Sequence, residues 1–382
     1  MLKLFRIENY KSFRSPLTID FSKVGGYQFS ESCVTDNLIT KMLIYGRNAT
    51  GKTNLGSAIC DIAYATAYLV RYDDTAFLNA DSESNAASFS YCFQFNQSEI
   101  EYTYTKSSLS HYLTEVLRIN GQEIFNFDYV TDKYQCNNLE LISSETIQVD
   151  RFLEALHDDS LEGDTAERTI CFLRWLFANS AYDNNSIFAQ MRRFIGGMRF
   201  MSASALSQKR FIQSTTFSRE LEGENLQKLE QFLNKMGVEC KLEIKKLPDG
   251  RIELYFKKAK KLIPFFDAAS SGTIALYNLY FRFIARMQNL SFCYFDEFDA
   301  FFHYELSERF VRFFQQEFPN CQVIFTTHNT NLMSNDIMRP DCLFILSGDG
   351  RLTPLNEATA RELREGHNLE KMYISGEFKN YE

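Results

Sequence analysis

The sequence predicts an α/β protein with three parts: a phosphate-binding loop between a buried strand and a helix, an antiparallel β lobe, and a mainly helical insertion. Three observations carry this. Gly46-Arg47-Asn48-Ala49-Thr50-Gly51-Lys52-Thr53 fits G-x-x-x-x-G-K-[ST]. Residues 88–127 alternate apolar and polar in short runs split by turn residues. Two later apolar runs end in chemically active side chains, Asp296-Glu297 and His328.

In chain order, Leu2–Ile7 reads as an edge or N-terminal strand, and Leu17–Phe21 as a second. Residues 25–40 are polar and contain glycine, which suits a loop. Lys41–Tyr45 is a short apolar run, a buried strand. The loop follows. Gly46 and Gly51 let the backbone curl so that successive N–H groups point at one anion. The next helix adds its partial positive charge. Lys52 is placed to reach β- and γ-phosphates, and the Thr53 hydroxyl to meet Mg2+. The helix is expected to run from Asn54 to about Tyr72, apolar nearly all round and so buried against a sheet.

Ser88–Phe95, Ile100–Tyr104, His111–Ile119 and Glu123–Phe127 read as a four-stranded meander. Asn96-Gln97-Ser98 and Asn120-Gly121 are its turns. Residues 130–239 change to helical spacing at Ile147–His157, Ala166–Asn179, Asn184–Ile195 and Asn225–Met236, with Gly237 closing the last helix. Val238–Phe256 reads as a hairpin around Pro248-Asp249-Gly250. From Lys241 to Lys261 there are eight Lys or Arg against three acids. A solvated face and a contact to a phosphate backbone both fit that pattern.

Ala269-Ser270-Ser271-Gly272-Thr273 opens an apolar helix, Ile274–Met287. Small residues there leave N–H groups open to an anion, and also make an ordinary helix cap. Ser291–Phe295 is an apolar strand ending in Asp296 and Glu297, the form of a Walker B motif. Asp296 suits Mg2+, and Glu297 suits deprotonation of an attacking water. Cys321–Thr327 is a second buried strand, which delivers His328 to the ligand side of the sheet.

Composition sets limits. The chain has 382 residues, 45% of them hydrophobic and 36 of them Phe, enough for one large domain or two. A net charge of −8 excludes a protein that coats nucleic acid, so a DNA contact must come from a local patch. The nine cysteines include no C-x-x-C pair, so neither a zinc site nor a disulfide framework is expected. Buried thiols suit a cytoplasmic location. Met1–Arg6 moves straight into a strand pattern, so no signal peptide is expected, and no apolar run is long enough to span a membrane.

The order P-loop, Ser-Ser-Gly-Thr, Phe-Asp-Glu, Thr-Thr-His resembles the ABC-type ATPase heads of the SMC/RecF and OLD-like group. Ile7–Phe13 and the loop through Asn54-Leu55 look like that group too. The tail His367–Gly376 is similar to stand-alone bacterial AAA ATPases of abortive-infection and anti-phage systems. The resemblance covers both ends of the chain and the insertion only loosely. It implies an ABC-type head, with domains at 1–129, 130–239 and 240–382. It also implies that two protomers sandwich two ATPs with Mg2+, making a homodimer or higher oligomer.

In that arrangement Gly46–Asn54, Asp296, Glu297 and His328 come from one chain, while Ser270, Ser271 and Gly272 meet the partner's γ-phosphate. Asp299–His303 would lie where protomers touch. Gln94 reads as a strand residue before it reads as a Mg2+-sensing glutamine. The signature departs from Leu-Ser-Gly-Gly-Gln, and no long heptad arm exists. The stretch after His328 is too short for the nuclease domain of OLD proteins, so an effector is expected on another chain. The expectation is an ATP-hydrolysing sensor or scaffold for such an effector. The alternatives are a DNA-repair or DNA-loading ATPase of RecF or SMC type, and a metabolic P-loop kinase.

Overall fold

The computed structural model describes residues 1–66, 76–142, 147–156, 170–203, 221, 223–248, 252–282 and 290–381. The first half runs β1 (Leu2–Glu8), β2 (Leu17–Asp20), β3 (Val34–Thr35), β4 (Leu38–Ile39), β5 (Lys41–Tyr45), α1 (Lys52–Ile59) and α2 (Asp61–Thr66). Then come β6 (Ala87–Phe95), β7 (Ser98–Lys106), β8 (Tyr112–Ile119), β9 (Gln122–Asp128) and β10 (Lys133–Cys136). The middle holds α3 (Val149–Leu156), α4 (Phe172–Asn179), α5 (Ile187–Gly196), β11 (Met198–Ser202) and α6 (Glu224–Lys235). It leads to β12 (Leu242–Lys246), β13 (Ile252–Lys257), β14 (Leu262–Pro264), α7 (Phe265–Ala268) and α8 (Ser271–Arg282). The last part is β15 (Phe292–Asp296), α9 (Tyr304–Glu317), β16 (Gln322–Thr327), β17 (Leu343–Leu346), β18 (Leu352–Pro354) and α10 (Leu369–Ile374).

The central sheet has the order β11-β15-β16-β5-β17-β18. All its pairings are parallel except β17–β18. Every residue of β5, β15 and β16 is buried, which is why these strands read as unbroken apolar runs. Register sets Thr327 opposite Tyr45 and Ser202 opposite Asp296. The strand ends that carry the loop, the acids and the histidine therefore share one edge of the sheet. This is the α/β architecture that the loop motif calls for, a mostly parallel sheet in which β5, the loop and α1 follow one another.

The second sheet is the antiparallel lobe, order β10-β9-β8-β7-β6-β1-β2. β1 lies inside it, between β2 and β6, and is not an edge. Along β6, Phe89, Tyr91 and Phe93 are buried while the residues between them are not. That alternation makes an aromatic face laid on the loop helix. Tyr91 OH donates to Ala58 O at 2.9 Å, and Tyr104 OH to Asp61 Oδ2 at 2.8 Å. Lys106 Nζ meets Asp61 Oδ2 at 2.7 Å, with side chains 2% and 1% exposed.

This contact corrects the expected single helix from Asn54 to Tyr72. α1 stops at Ile59, and α2 restarts at Asp61. The break turns Asp61 into the lobe, where Lys106 and Tyr104 hold it. Residues 67–72 lie outside the described residues. Gly56 faces the sheet, and a Cβ there would stand 2.4 Å from Tyr294 Cδ1 and 2.6 Å from Phe200 Cε2.

Residues 25–40, expected as a loop, contain the short β3–β4 ladder. Helices occupy most of what is described in 130–239, but two strands there join the sheets. β10 pairs with β9, and β11 pairs with β15. α4 docks on the lobe through Glu115, which accepts the N–H groups of Phe172 and Leu173 at 2.7 and 2.8 Å. Tyr102 and Tyr129 donate to the same carboxylate. Burial raises its pKa, and the four hydrogen bonds it accepts oppose the rise. His157, Ala166, the turn residues Asp249 and Gly250, and the expected helix end at Met287 lie outside the described residues. β12-β13-β14 form a separate small sheet, one strand more than the expected hairpin. All nine cysteines are free thiols. Among the described residues no helix is long and apolar enough to cross a membrane.

Candidate functional site

The loop leaves β5 at Gly46 and enters α1 at Lys52. Its curl has three visible causes. Thr50 N–H and Oγ1 both bond Arg47 O, which closes a turn. Ala49 and Gly51 take left-handed backbone, φ +66° and +99°. Gly51 also presses on Ser12, where a Cβ would sit 2.3 Å from Oγ. Asn54 Nδ2 donates to Ser12 Oγ at 3.1 Å, so the turn after β1 braces the loop from outside. Arg47, Asn48 and Ala49 are exposed at the crest. Lys52 is 5% exposed, and its Nζ donates to Gly46 O and Arg47 O at 2.8 and 2.9 Å. Burial lowers its pKa, while Glu297 and Asp296 pull it back up.

Asp296, at the tip of β15, is 5% exposed. It accepts from Thr53 Oγ1 at 2.7 Å and from Thr326 Oγ1 at 2.9 Å. Burial raises its pKa, and these two hydroxyls oppose the rise. The exposed Thr53 hydroxyl beside this carboxylate forms an all-oxygen pair, suited in donor type and charge to a hard divalent cation. Tyr294 OH donates to Lys52 O at 2.6 Å and ties β15 to the first turn of α1.

Glu297 has φ +49°, a left-handed backbone that costs a non-glycine residue about 1 kcal/mol or more. Its N–H donates to Thr326 Oγ1 at 2.8 Å, which holds that conformation. The result aims the carboxylate at the tip of β16, where its Oε1 lies 3.4 Å from His328 Nε2. Both side chains are partly exposed, so water reaches them. Behind them Thr327 Oγ1 donates to Asp299 Oδ2 at 2.6 Å and accepts from Asn329 N–H at 2.8 Å. Burial raises the Asp299 pKa.

The loop, Asp296, Glu297 and His328 thus converge. Ser270, Ser271 and Gly272 do not join them. Ser270 Oγ accepts from Thr273 N–H at 3.2 Å, an N-cap of α8. Ser270 and Ser271 are exposed. Gly272 lies against the turn after β15, where a Cβ would sit 2.9 Å from Phe301 O. Among the described residues no hydrogen bond links this turn to 46–54. Gln94 pairs near the start of β1, at the opposite end of the strand from Ser12, and its amide donates to Asn96 O. It is a lobe residue away from the loop.

Sequence reasoning misses Ser12 and Thr326 as site residues. Ser12 lies within a segment that stands out only for its resemblance. Thr326 is visible as a strand residue, but its partners depend on the register between β15 and β16, which one strand's pattern does not reveal.

A family model described as "AAA domain, putative AbiEii toxin, Type IV TA system" matches residues 41–334. No curated protein matches the chain. Solved structures similar to it include an SMC head bound to the C-winged helix domain of ScpA. That pair is 15% identical over 93% of this chain and 97% of the other, with a TM-score of 0.49. The SMC head domain from Thermotoga maritima is 15% identical over 92% and 98%, with a TM-score of 0.44. A Smc head with an extended coiled coil, bound to the C-terminal domain of ScpA from Pyrococcus furiosus, is 14% identical over 99% of each, with a TM-score of 0.47.

Proposed function

The chain belongs to the AAA-domain family described as putative AbiEii toxin of Type IV TA systems, and on that premise we propose that it is a dimeric ATPase controlling a separate effector, a nuclease, in bacterial defence against phage. The observation that carries the ATPase reading is the hydrogen-bond chain Thr53–Asp296–Thr326–Glu297. It fixes a cation-suited oxygen pair and a water-accessible carboxylate around the phosphate loop.

In this reading Gly46–Asn54 cradle the phosphates of ATP, and Lys52 moves from the loop carbonyls to phosphate oxygen. Thr53 and Asp296 hold Mg2+, which when bound neutralises phosphate charge. Glu297 orients the attacking water and takes its proton. His328, 3.4 Å from Glu297, faces the same water or the terminal phosphate. Ser270 and Ser271 stand exposed, and with the buried Gly272 they form a turn that makes no described hydrogen bond to their own loop, which supports their use on a second copy's ATP. A family described by toxin–antitoxin systems supports a partner chain. A cytoplasmic location fits the nine free thiols.

Phosphate release at saturating Mg·ATP tests the hydrolytic assignment. Glu297→Gln should bind ATP within a few-fold of the parent and turn over about 10²–10⁴-fold more slowly. Lys52→Ala should lose binding. Undiminished turnover in Glu297→Gln would remove the base from Glu297.

A further inference from the structure

The small sheet β12-β13-β14 has no part in the hydrolytic site, yet its β13–β14 turn holds the densest cluster of lysines in the sequence, Lys257, Lys258, Lys260 and Lys261. We infer that it is a binding surface for the phosphate backbone of duplex DNA. The protein carries a net charge of −8, but Lys241, Lys257, Lys258, Lys260 and Lys261 gather at one end of this sheet, all exposed. Pairing brings them together: Lys257 N–H bonds Lys241 O at 2.7 Å, and Lys258 N–H bonds Lys261 O at 3.0 Å across the β13–β14 turn. Among the described residues Lys241, Lys258, Lys260 and Lys261 form no ion pair.

The acids of the sheet are already engaged. Glu243 pairs with Lys257 at 2.9 Å, and Glu253 accepts from Tyr255 OH at 2.5 Å. Glu243 takes up Lys257, and neither acid pairs with Lys241, Lys258, Lys260 or Lys261.

The surface favours duplex over single strands. A single-strand reader needs exposed aromatic faces for bases to stack on. Here Tyr255 is half-buried with Lys245 Nζ 5.6 Å from its ring, and Phe256 is turned inward onto Phe265 at 4.7 Å. Phe265 in turn meets Tyr277 of α8 at 5.5 Å. Bound duplex would therefore sit one short helix, α7, from the Ser270–Gly272 turn. The inference holds whether or not the protein is a dimeric ATPase.

Anisotropy of a labelled 30-bp DNA duplex, titrated with the full chain over a range of salt, tests it. The wild type should bind with a steep salt slope. Changing Lys241, Lys258, Lys260 and Lys261 together to Gln should weaken binding at low salt at least tenfold. It should also flatten the slope by about three to four, at about 0.9 for each phosphate no longer neutralised. The same four changed to Arg should bind as the wild type does, which separates charge from misfolding. Changing Lys228, Lys371 and Lys379 to Gln should leave affinity within twofold. No binding by the wild type, an unchanged slope in the four-Gln variant, or an equal loss in the three-lysine control would overturn the assignment.

Discussion

Thr326 Oγ1 reaches across from β16 to donate to Asp296 Oδ1 at 2.9 Å and itself accepts the Glu297 N–H at 2.8 Å. One hydroxyl thus sets both acids at the tip of β15. Thr326→Val keeps the shape and removes the bridge. Turnover should fall about 10–100-fold, as losses of supporting partners around metal-binding carboxylates do. ATP affinity should stay within a few-fold, because the loop bonds are untouched. Parallel titrations of binding and phosphate release check this.

Gly56 lets α1 lie flat on the central sheet. A Cβ would meet the rings of Tyr294 and Phe200 at 2.4 and 2.6 Å, and both rings are held within the sheet. Gly56→Ala should cost about 1–3 kcal/mol in urea unfolding, as overpacked cores do. It should also weaken ATP binding, since α1 carries the end of the loop. Wild-type stability in this variant would mean that the rings move aside freely.

Glu115 serves as a remote cap for α4. Glu115→Ala would strand two helix N–H groups and the hydroxyls of Tyr102 and Tyr129 in a buried site. The expected loss is about 3–5 kcal/mol of stability, read by denaturant midpoint.

Asp299 gives a pH test with a definite sign. Burial raises its carboxyl above the ordinary aspartate value in the folded protein. Its contribution to stability is therefore fullest below that ordinary value and is lost as pH rises through the raised one. Asp299→Asn keeps an acceptor for Thr327 and removes the charge. The variant's melting temperature relative to the wild type should rise between pH 4 and pH 8. A flat or falling difference would contradict the shift.

The site was legible where chemistry follows local pattern. The glycine loop announces itself, and fully buried parallel strands read as apolar runs whose last residues, Asp296 and His328, face the ligand edge. The fold was least legible where distant partners decide. α1 breaks at Cys60 because Lys106, 45 residues away from Asp61, draws that carboxylate into the lobe. β11 hid in a helical stretch because only two of its five residues, Met198 and Met201, are fully buried, and it sits at the sheet edge with Arg199 exposed. Glu115 reads as an alternating-strand residue and gives no hint that it caps a helix more than fifty residues on.

The central claim is that nucleotide closes two copies of this chain around shared sites, with Ser270–Gly272 of each completing the other's. The mass of Glu297→Gln by light scattering, with and without Mg·ATP, tests it most directly. The account predicts a shift from one chain to two on adding Mg·ATP, abolished by Ser271→Arg. A mass of one chain under both conditions would contradict it.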